Sequence, residues 1–426
     1  MENKRIKFSP IKKEKDLDVL IDEIGDARVV MLGEASHGTS EYYTWRTAIS
    51  KRLVEDKGFC FIAVEGDWPE CYAVNRFIKG YQNSGRKIAE VLEVYRRWPT
   101  WMWANWEVAA LIEWMRDFNH LRQVHDKVGF YGLDVYSLWE SLEQVLKFME
   151  QRDGKAAEAA RAAVRCFEPY HRDPQHYAQA TAFVPTDCQD EVVQMLEQVS
   201  RRPVYPDDPE HDFSTTQNAL VAVNAEKYYR AMIRGGAGSW NVRDTHMMET
   251  LDRLLELHGP NAKAIVWEHN THIGDAKYTD MADDGMYNIG QLARERYGRE
   301  QVKLVGFGSY QGNVIASSSW GAPMQKMDMP PARQGSWEHM LHELSTDDKI
   351  ILSKDLEAIP ELQQHVPHRA IGVVYDPKTE HLGNYVPTII PDRYDAFLYF
   401  EETEAVHPLH MKVRGGREPE LYPWNY

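Results

Sequence analysis

The sequence predicts an α/β protein with a mainly parallel central sheet that is covered by helices on both faces. Short apolar runs rich in β-branched residues recur along the chain, and most intervals between them carry apolar residues at helical spacing. Buried strands that alternate with helices are typical of such a sheet. Because no Gly/Ser-rich or charged boundary interrupts the pattern, we expect residues 1–426 to form a single domain, with 80–260 as a largely helical insertion.

Seven apolar runs are predicted to be the strands of this sheet. They are residues 28–32, 59–64, 128–133, 264–267, 302–307, 371–375 and 396–400. After the first run, Thr39 or Ser40 is expected to cap a helix that ends at Gly58. A second helix follows the next run, because Asp67 offers a cap and Pro69 suits a first turn. This order favours two neighbouring parallel strands whose carboxyl ends reach one edge of the sheet, where open α/β sheets bind ligands.

Charge and composition argue against several classes of partner. The formal net charge of -16 repels phosphate backbones and anionic lipids, so we expect neither nucleic acid nor membrane partners. No apolar run is long enough to cross a bilayer, and no signal-peptide core follows the basic opening segment, which indicates the cytoplasm. The cysteines Cys60, Cys71, Cys166 and Cys188 form no CxxC pair, so we expect them to be reduced and structural.

Acidic residues and a histidine follow the first two predicted strands. Glu34 and His37 lie in GEASHG directly after the first strand, and Glu65 lies in VEGDW after the second. A carboxylate that orients an imidazole makes it a general base near neutral pH, with water as the nucleophile. The alternative is that Glu34 caps the following helix and His37 is an ordinary loop residue. Arg46, on that helix, is either a surface arginine or a partner of these glutamates that faces developing negative charge.

The fourth predicted strand ends in WEHNTHIGDA, which places Glu268, His269 and His272 at the same edge of the sheet. Two histidines three residues apart, near a glutamate, are possible ligands of a divalent metal. The HxxH spacing is common by chance and no third ligand stands out, so we predict no cofactor. We favour a second acid/base histidine, which polarises the carbonyl or protonates the leaving alkoxide.

Weaker candidates lie on the helical segments. Arg243 and Asp244 begin a helix in NVRDTHM, where they are either site residues or a cap and its surface neighbour. Asp134 ends YGLD, where it either points into the same cleft or caps the next helix. The interpretation as a cap is favoured. The stretch WPTWMWANWEVAALIEWM is mostly core by its helical spacing, with one or two indole rings facing the cleft. The tryptophans predicted to contact substrate are Trp101, Trp103 and Trp106.

Several well-known motifs are missing from the chain. It contains no GxSxG nucleophile elbow, no HExxH, no Walker loop and no GxGxxG. Serine-triad hydrolysis, nucleotide use and a Rossmann cofactor therefore have no support in the sequence.

Taken together, the motifs resemble the erythromycin esterase family. The resemblance rests on GEASHG, the helix with Arg46, VEGDW, NVRDTHM, WEHNTHIG, and the late RAIGVVYDP and YDAFLYF, between residues 11 and 402. Members hydrolyse the lactone ester of macrolide antibiotics, and many relatives carry the label succinoglycan biosynthesis protein. The family fold is a mixed α/β sheet with helical insertions around a deep cleft.

The resemblance implies specific roles. His37 would be the base that activates water, Glu34, Arg46 and Glu65 would be its essential neighbours, and His269 or His272 would supply a further catalytic histidine. We therefore expect a hydrolase that cleaves a carboxylic ester or a macrolide lactone, and so inactivates an antibiotic, with a small molecule as its substrate. The alternatives are a metal-dependent hydrolase of another substrate class and a non-catalytic relative that binds its ligand.

Overall fold

The computed structural model describes residues 6–85, 87–151, 154–183, 187–199, 208–357 and 359–411. The strands are β1 Ser9–Pro10, β2 Val29–Leu32, β3 Phe61–Asp67, β4 Gly129–Asp134, β5 Ala264–Trp267, β6 Val302–Ala316, β7 Gln325–Met329, β8 Lys349–Leu352, β9 Val366–Arg369, β10 Tyr385–Thr388 and β11 Ala396–Thr403. The helices are α1 Asp18–Ile24, α2 Ser40–Lys57, α3 Trp68–Lys79, α4 Ile88–Leu92, α5 Trp106–Asn119, α6 Leu138–Glu150, α7 Gly154–Phe167, α8 Pro174–Phe183, α9 Gln189–Val199, α10 His211–Met232, α11 Ala237–Leu257, α12 Asn270–Ile273, α13 Ile289–Tyr297, α14 Trp337–Leu344, α15 Glu380–Gly383 and α16 Ile390–Arg393.

Nine strands form the central sheet, in the order β1-β8-β11-β6-β2-β5-β3-β4, with β7 paired to β6 outside this path. The strands from β11 to β4 along this order are parallel, whereas β1, β7 and β8 pair antiparallel. Apolar side chains from both faces pack against flanking helices in two separate clusters. The predicted mixed, mainly parallel sheet flanked by helices is therefore confirmed.

The first two predicted strands are not neighbours, and this part of the prediction is wrong. β5 lies between β2 and β3, and Ala264 is opposite both Val29 and Phe61. The helical crossover makes β2 and β3 parallel, but it does not decide whether they are neighbours in the sheet. Their separation depends on β5, about 200 residues later in the chain, and the sequence near β2 and β3 does not specify where β5 inserts. All three strands are parallel, so their carboxyl ends still meet at one edge.

The local helix signals are correct. The helix α2 has Thr39 at its N-cap position, although the Thr39 side chain makes no cap hydrogen bond, and Gly58 ends the helix with a left-handed backbone, φ 71°. Asp67 and Pro69 begin α3 as expected, although the Asp67 side chain makes no cap hydrogen bond. The strand predicted at 371–375 is wrong, because this run makes only isolated bridges, and of its apolar side chains only Ile371 and Tyr375 are buried in a small cluster beside β6 and β7.

The segment 80–260 is largely helical, as predicted, and contains α4–α11 with one strand, β4. Helices α6–α10 surround an apolar cluster of their own, which includes Leu142, Phe167 and Tyr177. None of the described helices is both long and apolar enough to span a bilayer. The assignment of the whole chain to one domain stays a prediction.

The prediction that all four cysteines are reduced is wrong. Cys166, near the end of α7, forms a disulfide with Cys188, directly before α9, while Cys60 and Cys71 are free. The two Cα atoms are 5.8 Å apart although 22 residues separate them in sequence. Only the packing of the helical insertion brings them within bonding range, so no spacing motif reveals the pair.

Candidate active site

A cavity of about 340 Å³ opens at the carboxyl edge of the sheet, where β2, β3, β4 and β5 end. The helical insertion supplies the opposite wall. The polar residues that line this cavity include His37, Glu65, Asp67, Glu70, Arg97, Asp134, Arg243, His269, Thr271 and His272. Residues from five separate motifs, GEASHG, VEGDW, YGLD, NVRDTHM and WEHNTHIG, therefore meet in one place.

His37 is held by a chain of buried polar contacts. Its Nδ1 lies 2.8 Å from Glu34 Oε1, and the other Glu34 oxygen accepts a hydrogen bond of 2.6 Å from Arg46. Arg46 is completely buried between the rings of Tyr43 and Trp267, at 4.6 and 4.7 Å, so it is not a surface arginine. Because Nδ1–H donates to Glu34, the other ring nitrogen, Nε2, carries no proton. Nε2 has no partner among the described residues. This is the geometry of an oriented base.

Arg243 binds two of the acidic residues considered in the sequence analysis, Glu65 and Asp134. Its Nη2 donates to Glu65 at 2.6 Å and to Asp134 at 2.8 Å, and its Nε donates to Asp134 at 2.9 Å. The favoured interpretation of Asp134 as a cap is wrong, because α6 begins only at Leu138 and the carboxylate turns towards the guanidinium instead. Arg243 thus holds two carboxylates of adjacent strands.

His272 is fully engaged on both ring nitrogens. Its Nε2 lies 2.8 Å from Arg243 Nη1, and a guanidinium can only donate, so Nε2 carries no proton. Nδ1 therefore donates to Asp244, whose oxygens are 3.0 and 3.1 Å away. The ring also stacks on Trp240 with centroids 4.4 Å apart. Asp244 does not line the cavity, and its contribution is to orient His272.

His269 lies next to His37, with ring centroids 5.0 Å apart. Its Nδ1 accepts a hydrogen bond of 3.2 Å from the backbone N–H of Thr271, so the ring proton is on Nε2. That Nε2 is buried and has no partner among the described residues. Burial and the charge of His37 hold the pKa of His269 well below its usual range. Each of the two candidate histidines therefore carries one ring proton, and of the two only His269 has a ring N–H without a partner among the described residues.

Electrostatics in the cavity favour a basic His37 and an ionised Glu65. Burial lowers the pKa of His37, but the negative charges of Glu65 and Glu34 outweigh this effect and raise it above 6.5. Burial raises the pKa of Glu65, but its electrostatic interactions with His272, Arg243 and His37 outweigh burial, so the pKa lies below its usual range. The backbone N–H of His269 also donates to Glu65 at 2.8 Å.

Of the three tryptophans predicted to contact substrate, only Trp103 lines the cavity. Its Nε1 donates to the Glu65 backbone oxygen at 3.1 Å. Trp101 and Trp106 pack into the apolar cluster on the α2 face of the sheet and do not line this cavity. Helical spacing does not distinguish a ring at the cavity from one in the core. Tyr136 and Trp240 also line the cavity but were not predicted from the sequence, although they lie beside the YGLD and NVRDTHM motifs.

The residues considered as metal ligands do not converge. Glu268 is buried outside the cavity lining, and both of its carboxyl oxygens lack partners among the described residues. Burial, with the charges of Glu65 and Asp244, raises the pKa of Glu268 well above its ordinary value. Within the described part of the chain, no group of three or more histidine, cysteine or acidic side chains is arranged to hold a metal ion.

Comparison with known proteins places the chain in a family. A model of the erythromycin esterase family matches residues 54–403. The chain belongs to the erythromycin esterase family. It is 24% identical over 398 residues to the erythromycin esterase type II of Escherichia coli, across 85% of this chain and 91% of that protein. Membership of this family supports a hydrolase that acts on a small molecule.

Solved structures with the erythromycin esterase fold match most of the chain. A succinoglycan biosynthesis protein matches with a TM-score of 0.76 and 21% identity, over 95% of this chain and 97% of its own. A mutant of the erythromycin esterase EreC in its open conformation matches with a TM-score of 0.67 and 15% identity, over 92% and 95%. At these identities the likeness shows the fold alone.

Proposed function

We propose that this protein hydrolyses a carboxylic ester, with a macrolide lactone as the leading substrate, by means of a water molecule that His37 activates. One observation carries the proposal. The Glu34–His37 hydrogen bond, itself anchored by Arg46, orients a cavity-lining imidazole whose Nε2 has no partner among the described residues. The erythromycin esterase of Escherichia coli, matched over most of its length, supports the choice of substrate.

In this mechanism His37 Nε2 takes a proton from water as the oxygen attacks the carbonyl carbon. Glu34 and Glu65 stabilise the imidazolium that forms. The neutral His269 donates its free Nε2–H to the developing oxyanion, in a site where burial strengthens the hydrogen bond. When the tetrahedral intermediate collapses, the carbon–alkoxide bond breaks and the alkoxide takes the proton back from His37.

Arg243 and His272 have positioning roles in this proposal. Arg243 fixes Glu65 and Asp134 on two strand ends, and the Asp244–His272 pair holds the far side of the guanidinium. No cofactor is needed, because the base, the oxyanion donor and the proton shuttle are all protein groups.

A panel of macrolides and chromogenic esters tests the proposed function. Mass spectrometry is expected to detect ring-opened or cleaved products that carry the mass of one added water. The reaction should proceed at the same rate in a chelator, with protein that elemental analysis finds free of stoichiometric metal. Ligand recovered unaltered after long incubation, despite binding, would instead indicate a binding protein. Activity that chelation abolishes and metal restores would indicate metal-dependent hydrolysis.

The rate is expected to fall at acidic pH, because His37 accepts a proton only while its imidazole is neutral. Since Glu65 and Glu34 raise the pKa of His37, the midpoint of the acid limb of kcat/KM should lie above 6.5. Glu65→Gln removes one of these charges, destabilises the imidazolium and should move the limb to lower pH. Glu158→Gln, on the exposed side of α7, is the matched control and should leave it unmoved. A limb that moves to higher pH in Glu65→Gln would contradict this assignment.

A further inference from the structure

A second, larger cavity of about 620 Å³ adjoins the catalytic one. The two share Arg97, Tyr136 and Trp320 in their walls, so these three side chains lie where the catalytic cavity meets the helical insertion. Aromatic rings dominate the second cavity, which we call the aromatic chamber. They are Trp98, Tyr136, Trp139, Tyr228, Tyr229 and Trp320.

The rings of the aromatic chamber come from distant parts of the chain and stand at several angles. Tyr136 and Tyr228 meet edge to face with centroids 5.2 Å apart, while Trp98 and Trp320 are tilted at 4.5 Å. Trp139 lies 6.3 Å from Tyr229. Rings in several orientations present both electron-rich faces and hydroxyl oxygens, the surfaces that attract a positively charged alkyl group.

Acidic side chains outnumber basic ones around the junction of the two cavities. Asp67, Glu70 and Glu140 line this region, and Arg97 is bound to Asp67 with Nε–Oδ2 at 2.7 Å. Asp67 is 7% exposed, yet its Oδ1 has no partner among the described residues, and the same is true of Glu70 Oε2. Glu140 makes no ion pair or hydrogen bond with the described residues.

Two of these carboxyls, Asp67 and Glu70, have raised pKa values, chiefly because they are buried. Burial, together with the charge of Asp67, raises the pKa of Glu70 to about 8. Burial also raises the pKa of Asp67 despite its contact with Arg97, and the charge of Asp134 adds to the effect. A further cation at the junction would stabilise the ionised forms of Asp67 and Glu70.

Two arginines line the aromatic chamber, and both are already neutralised. Arg97 is paired with Asp67, and Arg172 forms an ion pair with Glu143. Asp173 caps the helix that follows, by accepting from the backbone N–H groups of residues 175 and 176. Glu140 is therefore left as the uncompensated charge beside the rings.

We propose that the aromatic chamber binds the alkylated ammonium group of a substrate, a protonated tertiary or a quaternary amine, while the ester bond reaches His37. The aromatic faces hold the alkyl shell, and the carboxylate of Glu140 neutralises the charge. The proposal rests on the proposed ester hydrolysis for the position of the scissile bond, but the recognition of the cation is independent of turnover.

A pair of isosteric esters tests this recognition. Butyrylcholine and neohexyl butyrate have the same shape, and a quaternary carbon replaces the nitrogen in the second. We expect kcat/KM to be about tenfold higher for butyrylcholine, the size of one cation–π contact with a carboxylate nearby. Choline should also inhibit hydrolysis of a chromogenic butyrate about tenfold more strongly than neohexanol does. Equal constants for the two isosteres would overturn the proposal.

Variants separate the rings from the charge. Glu140→Gln keeps the side-chain shape and should lower the preference for the cation severalfold, and Trp139→Ala should lower it as well. Trp114→Phe, on α5 beside Phe118, and the exposed Glu158→Gln are matched controls that should keep the preference of the unaltered protein. An undiminished preference in Glu140→Gln would overturn the role of this carboxylate and with it the proposed site.

The same ligands distinguish failure of this proposal from failure of the proposed function. Choline and neohexanol contain no scissile bond, so their affinities are measured by tryptophan fluorescence whether or not any ester is hydrolysed. Tighter binding of choline without turnover of any ester would support the ammonium site and reject the esterase. Ester turnover with equal affinity for both ligands would support the esterase and reject the site.

Discussion

Replacing His37 with alanine is expected to lower kcat by about a thousandfold, within the range that a positioned general base supplies. The water would lose the base that takes its proton, while the oxyanion donor on His269 remains. Steady-state kinetics with a chromogenic ester measure the effect, and KM should change much less than kcat, because the base acts on the transition state.

The control for this variant is His120→Ala, which removes an exposed imidazole far from the cavity. Its kcat should equal that of the unaltered protein. Circular dichroism and thermal unfolding of both variants separate a lost base from a lost fold. Turnover that His37→Ala keeps within a few-fold of the original would remove His37 from the mechanism and leave the Glu34–Arg46 pair without a catalytic purpose.

Replacing Arg243 with methionine should destabilise the fold by about 3–5 kcal/mol, as expected when one partner of a buried ion cluster is removed. Methionine approximates the length of the arginine stem but leaves Glu65 and Asp134 facing each other without a cation. The His272 Nε2 would also lose its donor. Urea unfolding followed by fluorescence gives the free energy of unfolding, and activity should fall with the displacement of Glu65.

A surface ion pair provides the comparison for Arg243. Arg296 forms an ion pair with Asp252, but its side chain is 50% exposed, so Arg296→Met should change the free energy of unfolding by less than about 1 kcal/mol. Equal losses in both variants would show that burial of the Arg243 cluster carries no special weight.

His37 and Arg243 belong to two different networks of buried polar contacts around the same cavity. The Arg46–Glu34–His37 chain orients the base from the α2 side of the sheet, and the Arg243 cluster holds the opposite wall. Each arginine is buried and pairs with carboxylates that are themselves almost fully buried. The sheet edge can thus keep several ionised groups together in one cavity.

Local signals in the sequence identified most of the elements that build the site. The apolar runs located β2, β3, β4 and β5, and the polar residues directly after them proved to line or support the cavity. This succeeded because a buried parallel strand is short and apolar, and its carboxyl end is a place where polar residues lie near bound ligands. The capping signals at Gly58 and Pro69 were equally local.

Other features were beyond local signals. The role of Asp134 depends on a guanidinium more than 100 residues away in sequence, and the choice between His269 and His272 depends on which ring nitrogen Arg243 occupies. Trp101, Trp103 and Trp106 share one short segment, yet only one of them reaches the cavity. In each case the side chain's partner is set by packing between elements rather than by neighbours in the chain.

The sequence by itself determined the fold class, the family and the cluster of Glu34, His37, Arg46 and Glu65, because each depends on periodicity and motifs that a few adjacent residues carry. Only the tertiary structure decided the order of the strands, the disulfide, the free N–H of His269 and the aromatic chamber. These depend on distances between residues remote in sequence, and such distances are fixed by the packing of helices against the sheet, where every contact constrains the others.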